Sequence, residues 1–158
     1  MITKLASVAL ALLVTCAALA GCSTAATSVD SAQQENRSYM SKVNEVMSEL
    51  GDDLESFVGA VSRNDVVNMR TQAKNAYRVL DSLESIEAPE SLSDVRQKYI
   101  DGTAKLREAL DGYIELYTEA ESGVLDQSSY ADRLAKVQSL YDEGVGLLKQ
   151  ADETASQK

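Results

Sequence analysis

The sequence predicts an all-α protein, an antiparallel up-down-up-down four-helix bundle. Three observations carry that expectation. Along four separate stretches, apolar residues recur at alternating spacings of three and four, the 3.5-residue period of a helix seam. Short polar turns separate the stretches, and short turns join antiparallel neighbours. No strand-like alternation runs for a useful length. A three-helix bundle with a mobile first helix is the alternative, and the regularity of the first seam opposes it.

The first seam is Met40, Val43, Met47, Leu50, Leu54, Phe57 and Val61, with charged residues elsewhere around the helix. Ser62-Arg63-Asn64-Asp65 breaks it, and Asn64 is expected to cap the second helix. A second seam runs through Val66, Met69, Ala73, Ala76, Leu80 and Leu83, with Tyr77 and Ile86 beside it. Pro89 is the only proline; it disfavours helix at Ala88 and suits the first turn of the next helix. Ser91 with Asp94 offers a cap one turn later. The third seam is Leu92, Val95, Tyr99, Gly102, Leu106, Ala109, Tyr113, Leu116 and Ala120, with Gly123 as the expected stop. Ser129 with Asp132 is expected to cap the fourth helix, whose seam is Tyr130, Leu134, Val137, Tyr141, Gly144, Leu148 and Ala151. At 1.5 Å per residue, stretches of about 22 to 32 residues span roughly 33 to 48 Å.

The N-terminus obeys different rules. Met1 to Lys4 carries one positive charge, and Leu5 to Ala20 carries none and is rich in Leu, Ala and Val. Such a run reads as a secretory signal, and at about 16 residues it falls short of the roughly 20 that span a bilayer. It ends in Leu19-Ala20-Gly21-Cys22. This resembles the lipobox of bacterial lipoproteins: an aliphatic residue, a small residue, Gly or Ala, then Cys. The resemblance implies cleavage between Gly21 and Cys22 and a diacylglyceryl thioether on Cys22. Two acyl chains anchor stably where one binds marginally, at about 0.8 kcal/mol per buried methylene. The expected organisation is a signal peptide over 1–21, a lipidated N-terminus and flexible tether over 22–36, and a helical bundle domain over 37–155. Ser23 to Asn36 is poor in apolar residues, as a tether would be. Ser31 with Gln34 also allows a helical extension of the first seam.

Composition narrows the chemistry. The chain has 25 acidic residues against 15 basic ones, and Lys4 would leave with the signal. That balance argues against nucleic acid and against a basic patch on anionic lipid, so membrane contact falls to the lipid on Cys22 alone. Cys16 lies in the signal run and Cys22 would be acylated, which leaves no thiol for a disulfide or a nucleophile. There is no histidine, hence neither the commonest general base nor the commonest metal ligand. No catalytic residue, metal site or cofactor is expected, and no nucleophile motif or Gly-rich phosphate loop occurs.

Two features remain. Glu45, Glu49 and Asp53 form one acidic stripe at i, i+4, i+8, and Asp111, Glu115 and Glu119 form another. Acids in a row do not converge on one ion as a cation site demands, so they read as wet faces. Tyr99, Tyr113, Tyr130 and Tyr141 occupy seam positions on the last two helices. They read either as core with the phenol tips reaching water, or as the lining of a ligand pocket between helices. Gly102, in the same seam, fits a close helix crossing or a cavity wall.

The function expected is that of an exported protein, lipid-anchored to a bacterial membrane (the outer face of the cytoplasmic membrane or the outer membrane). Its body is read as a non-enzymatic helical module contacting an envelope protein or wall component. The alternative is a ligand-binding lipoprotein with a Tyr-lined pocket, serving a transporter or sensor.

Overall fold

A computed structural model describes residues 23–158, with side chains from residue 31 onward. Gly21, Cys22 and the rest of the signal-like segment lie outside the described residues. Among those described, four α-helices and no strand occur: α1 (Ser23–Ser62), α2 (Val66–Ser85), α3 (Ser93–Ser122) and α4 (Tyr130–Ala155), with a single 3₁₀ turn at Glu90–Leu92 before α3. α1 takes in Ser23 to Asn36, the stretch that the sequence allows as tether or as helix. No described helix is long and apolar enough to cross a membrane.

The seams become the core. Val43, Leu50, Leu54 and Phe57 of α1 are buried, as are Val66, Met69, Ala73, Ala76, Leu80 and Leu83 of α2. α3 buries Val95, Tyr99, Leu106, Ala109 and Leu116, and α4 buries Val137, Leu148 and Ala151. Each such residue removes apolar surface from water, worth about 1.5–3 kcal/mol for a large side chain. Tyr39, Val79 and Leu110 are buried as well, one position off the seams. Ala120, by contrast, is exposed near the C-terminal end of α3.

The turns obey backbone chemistry. Asn64 does not cap α2; it ends α1 in the left-handed region at φ 54°, while Asp65 N–H donates to Ala60 O at 3.0 Å. Asn tolerates that conformation where most residues do not. The cap falls instead to Asp65, whose carboxylate accepts from Asn68 N–H at 3.1 Å and is held below its usual pKa by that bond. α2 stops at Ser85, and Arg96 reaches back to Ile86 O at 3.2 Å and Glu84 O at 3.0 Å, satisfying C-terminal carbonyls. Pro89 precedes the 3₁₀ turn rather than opening α3 directly. Gly123 stops α3 at φ 70°, as its position predicts. Ser129 precedes α4, but its hydroxyl donates to Asp126 O and caps no helix N–H.

α1 packs on α2, α2 on α3, and α3 on α4, whereas α1 and α4 make no comparably close backbone contact. The α3–α4 crossing is tight because both helices offer glycine. A methyl at Gly102 would stand 2.8 Å from Leu148 Cδ2 and 3.1 Å from Gly144 O. One at Gly144 would stand 2.8 Å from Leu106 Cγ and 3.1 Å from Gly102 O. Farther along, a methyl at Gly112 would meet Val137 at 2.7 Å. Of the two readings open for Gly102, the structure realises the close crossing.

Candidate functional site: a tyrosine-lined cavity between three helices

The tyrosines divide into two groups. Tyr99, only 1% exposed, sits in the core and donates from its hydroxyl to Asp152. Burial, and then that carboxylate, raise its phenol pKa well above the ordinary value. Tyr39, 4% exposed, lies close enough to add to the effect. The sequence did offer a sign of it, since Tyr39 stands four residues before Val43 on one helical face.

The second group is half-buried and lies farther along α3. Fourteen residues separate Tyr113 from Tyr99, about 21 Å of helix. Tyr113 feels Tyr117, Asp142 and Tyr141, and Tyr117 in turn feels Tyr130. Burial is the main cause of the raised pKa of Tyr113, Tyr117 and Tyr141, with these neighbours adding to it. The four rings thus form a row, Tyr130–Tyr117–Tyr113–Tyr141, shared between α3 and α4.

Tyr113 and Tyr141 line a cavity of about 220 Å³. α1 supplies Phe57, Val58 and Val61, and α4 adds Gln138 and Asp142. Phe57 is fully buried at its base, with its ring centroid 6.0 Å from that of Tyr113 and the planes at 62°. Val58 is 46% exposed at its side. Asp142 has no ion-pair partner among the described residues. Tyr130 and Tyr117 line a neighbouring cavity of about 350 Å³ with Leu125 and Glu121. No Lys or Arg lines either one. Of the four tyrosines singled out by sequence, the structure brings Tyr113 and Tyr141 together, puts Tyr130 next door, and leaves Tyr99 in the core. Phe57 and Asp142 were missed: the first reads as an ordinary seam residue, the second as one acid among many.

The acidic stripes lie largely on exposed faces. Glu45 and Glu49 are exposed, with Arg78 3.8 Å from Glu49. Asp111 accepts from the Tyr77 hydroxyl, and Arg133 bridges Glu115 at 3.7 Å and Glu119. No group of three metal-ligating residues comes together among the described residues. Arg107 lies 5.6 Å from the ring centroid of Tyr77 while bonding Asp81, a cation over an aromatic face beside a carboxylate.

Burial raises the phenol pKa of Tyr113, Tyr117 and Tyr141, and most of the acids are solvated or paired; Asp53 is the exception, half-buried with Oδ2 unpartnered and its pKa raised first by burial. Aromatic surface beside one unpaired carboxylate can hold a solute in place. Comparisons with protein-family models, with curated proteins and with solved structures find no match to this chain.

Proposed function

We propose that the chain is an exported bacterial lipoprotein, acylated at Cys22, whose acidic helical body acts by binding and turns nothing over. The observation that carries the reading is Leu19-Ala20-Gly21-Cys22 at the end of an uncharged apolar run. The body then contacts an envelope protein or wall component through a helix face. Metabolic labelling with a fatty acid tests the anchor. The wild type should take the label and Cys22→Ser should lose it; a labelled Cys22→Ser protein would overturn the anchor. For the body, no single carboxylate-to-amide change should abolish the cellular phenotype while folding and export persist. One that did would point to catalysis or a cation site.

The reading includes an up-down-up-down order for the bundle, and the run of side-chain pairs supports it. In descending order along α2, Glu84, Asp81, Tyr77 and Arg70 meet Thr103, Arg107, Asp111 and Thr118, which ascend along α3. Asp94, Tyr99, Lys105 and Glu119 of α3 likewise meet Lys158, Asp152, Glu143 and Arg133 in reverse. Asn36 of α1 accepts from Ser91 near the start of α3, and Glu49 pairs with Arg78. In this arrangement the start of α1, nearest Cys22, and the tyrosine row occupy opposite ends of the bundle. Phe57 lies about 50 Å of helix beyond Ser23, so the cavity is presented well away from the membrane.

That cavity favours a second reading, in which the lipoprotein binds a small ligand and delivers it to a transporter or sensor. Tyr113 and Tyr141 support it, and Tyr99, in the core, contributes nothing to it.

A further inference from the structure

We infer that the cavity between α1, α3 and α4 is a site for a small, free quaternary ammonium solute, held by Tyr113, Tyr141 and the carboxylate of Asp142. This rests on the ligand-binding reading and names the chemical class it serves.

Two half-buried aromatic rings, Tyr113 of α3 and Tyr141 of α4, border one small space, with the buried Phe57 ring of α1 packed edge-on against Tyr113. Aromatic faces attract cations through the ring quadrupole, and quaternary ammonium ligands are the group most often held this way. The charges agree in sign. Asp142 is exposed beside the rings, carries no ion pair among the described residues, and is felt by both Tyr113 and Tyr141. No basic side chain lines the space, and the chain carries a net charge of −10, so an anion finds nothing to meet it. The same protein pairs tyrosine, carboxylate and cation elsewhere, where Arg107 lies over Tyr77 beside Asp81. At the cavity the tyrosines and the carboxylate are the protein's own, and the solute supplies the cation.

Other cations fit less well. A hard metal ion wants several converging oxygens, and the lining offers one carboxylate and the amide of Gln138. A primary ammonium brings three N–H donors that need acceptors, against walls that are mainly ring and aliphatic carbon. A quaternary ammonium has no donors to satisfy. Size points the same way: about 220 Å³ lies below the roughly 300–1,000 Å³ of sites for drug-sized ligands and suits a compact head group.

The test is isothermal titration calorimetry of the full chain in uncharged maltoside micelles. The probes are choline and its carbon isostere, in which a quaternary carbon replaces the nitrogen. Choline should bind saturably and at least ten times more tightly than the isostere. Tyr141→Leu and Asp142→Asn should each weaken choline by about ten-fold, the scale of one desolvated cation–aromatic or charge contact. Tyr130→Leu, in the neighbouring cavity, should leave affinity unchanged, and circular dichroism should show wild-type helix content in all three variants. Equal binding of choline and isostere overturns the cationic class while leaving a ligand pocket in place. Saturable binding of neither overturns both readings. Loss of binding with Tyr130→Leu but not with Tyr141→Leu overturns the assignment of the site.

Discussion

Tyr99 and Tyr141 occupy seam positions in helices that pack on each other, yet the fold uses them differently. Tyr99 is buried in the hydrophobic core, with its hydroxyl committed to Asp152. Tyr141 is half-buried beside a cavity, and its hydroxyl has no protein partner among the described residues. What separates them is the neighbour on α1. Near Tyr99, α1 contributes the buried Tyr39; at the far end it contributes Phe57, Val58 and Val61, which line the cavity beside Tyr141. A tyrosine that completes a core is needed for the fold, and one beside a gap is free to serve something else.

Substitutions can break that contrast. The largest effect expected is from Tyr99→Ala, about 3–5 kcal/mol of lost stability by chemical denaturation, as for other large aromatic truncations in cores. Tyr141→Ala should lose less than half as much; equal losses would mean that Tyr141 is core too. Leu106→Ala, between the two, should cost about 2–5 kcal/mol, because Leu106 is fully buried against the α3–α4 crossing. Tyr99→Phe sharpens the point by keeping the ring and removing only the hydroxyl. It should cost about 1.5–3 kcal/mol at neutral pH, the worth of a hydrogen bond to a charged group.

The same variant has a signature at high pH. The folded phenol of Tyr99 holds its proton above the unfolded value of 10.0, so the unfolded chain releases it first. Stability is therefore fully present below pH 10.0 and falls as the pH rises beyond it. In Tyr99→Phe that fall should be shallower, and denaturant midpoints measured on either side of pH 10.0 would reveal it. Identical slopes would mean that Tyr99 is not the group responsible. The smallest effect belongs to the outer face: Glu115→Ala should stay within about 0.5 kcal/mol, since Arg133 keeps Glu119 as a partner and exposed ion pairs contribute little.

Much of the helical architecture was legible in the sequence because seam spacing is a local property. Val43, Leu80, Leu106 and Leu148 could be assigned to the interior from the three-and-four rhythm alone. Val79, Leu110 and Thr103 could not. They flank the seams, and their burial depends on which neighbouring helix covers that flank. Thr103 is tolerated inside because its hydroxyl bonds Glu84 and Ile100 O. At the α1–α2 turn, Asn64 and Asp65 can both cap, and the chain reversal decided between them by requiring a positive φ at Asn64. The cavity was half legible. Tyr113 and Tyr141 could be read from their own helices, but a gap exists only by virtue of what α1 fails to fill, and no single-helix pattern encodes that.

The glycines at the α3–α4 crossing act as a fulcrum for this site. Tyr113 rides on α3 next to Gly112, and Tyr141 rides on α4 one turn before Gly144. The span between the two rings is thus governed by how near the two helix axes come, and that distance is set by hydrogens standing where other residues carry carbon. A methyl introduced at Gly144 would meet the Gly102 carbonyl, which has no rotamer by which to yield, and would pry the helices apart like a shim in a hinge. The rings would move with them, although neither had been altered. In the ligand-binding reading proposed above, selectivity at the cavity would therefore be retuned from positions that touch no ligand.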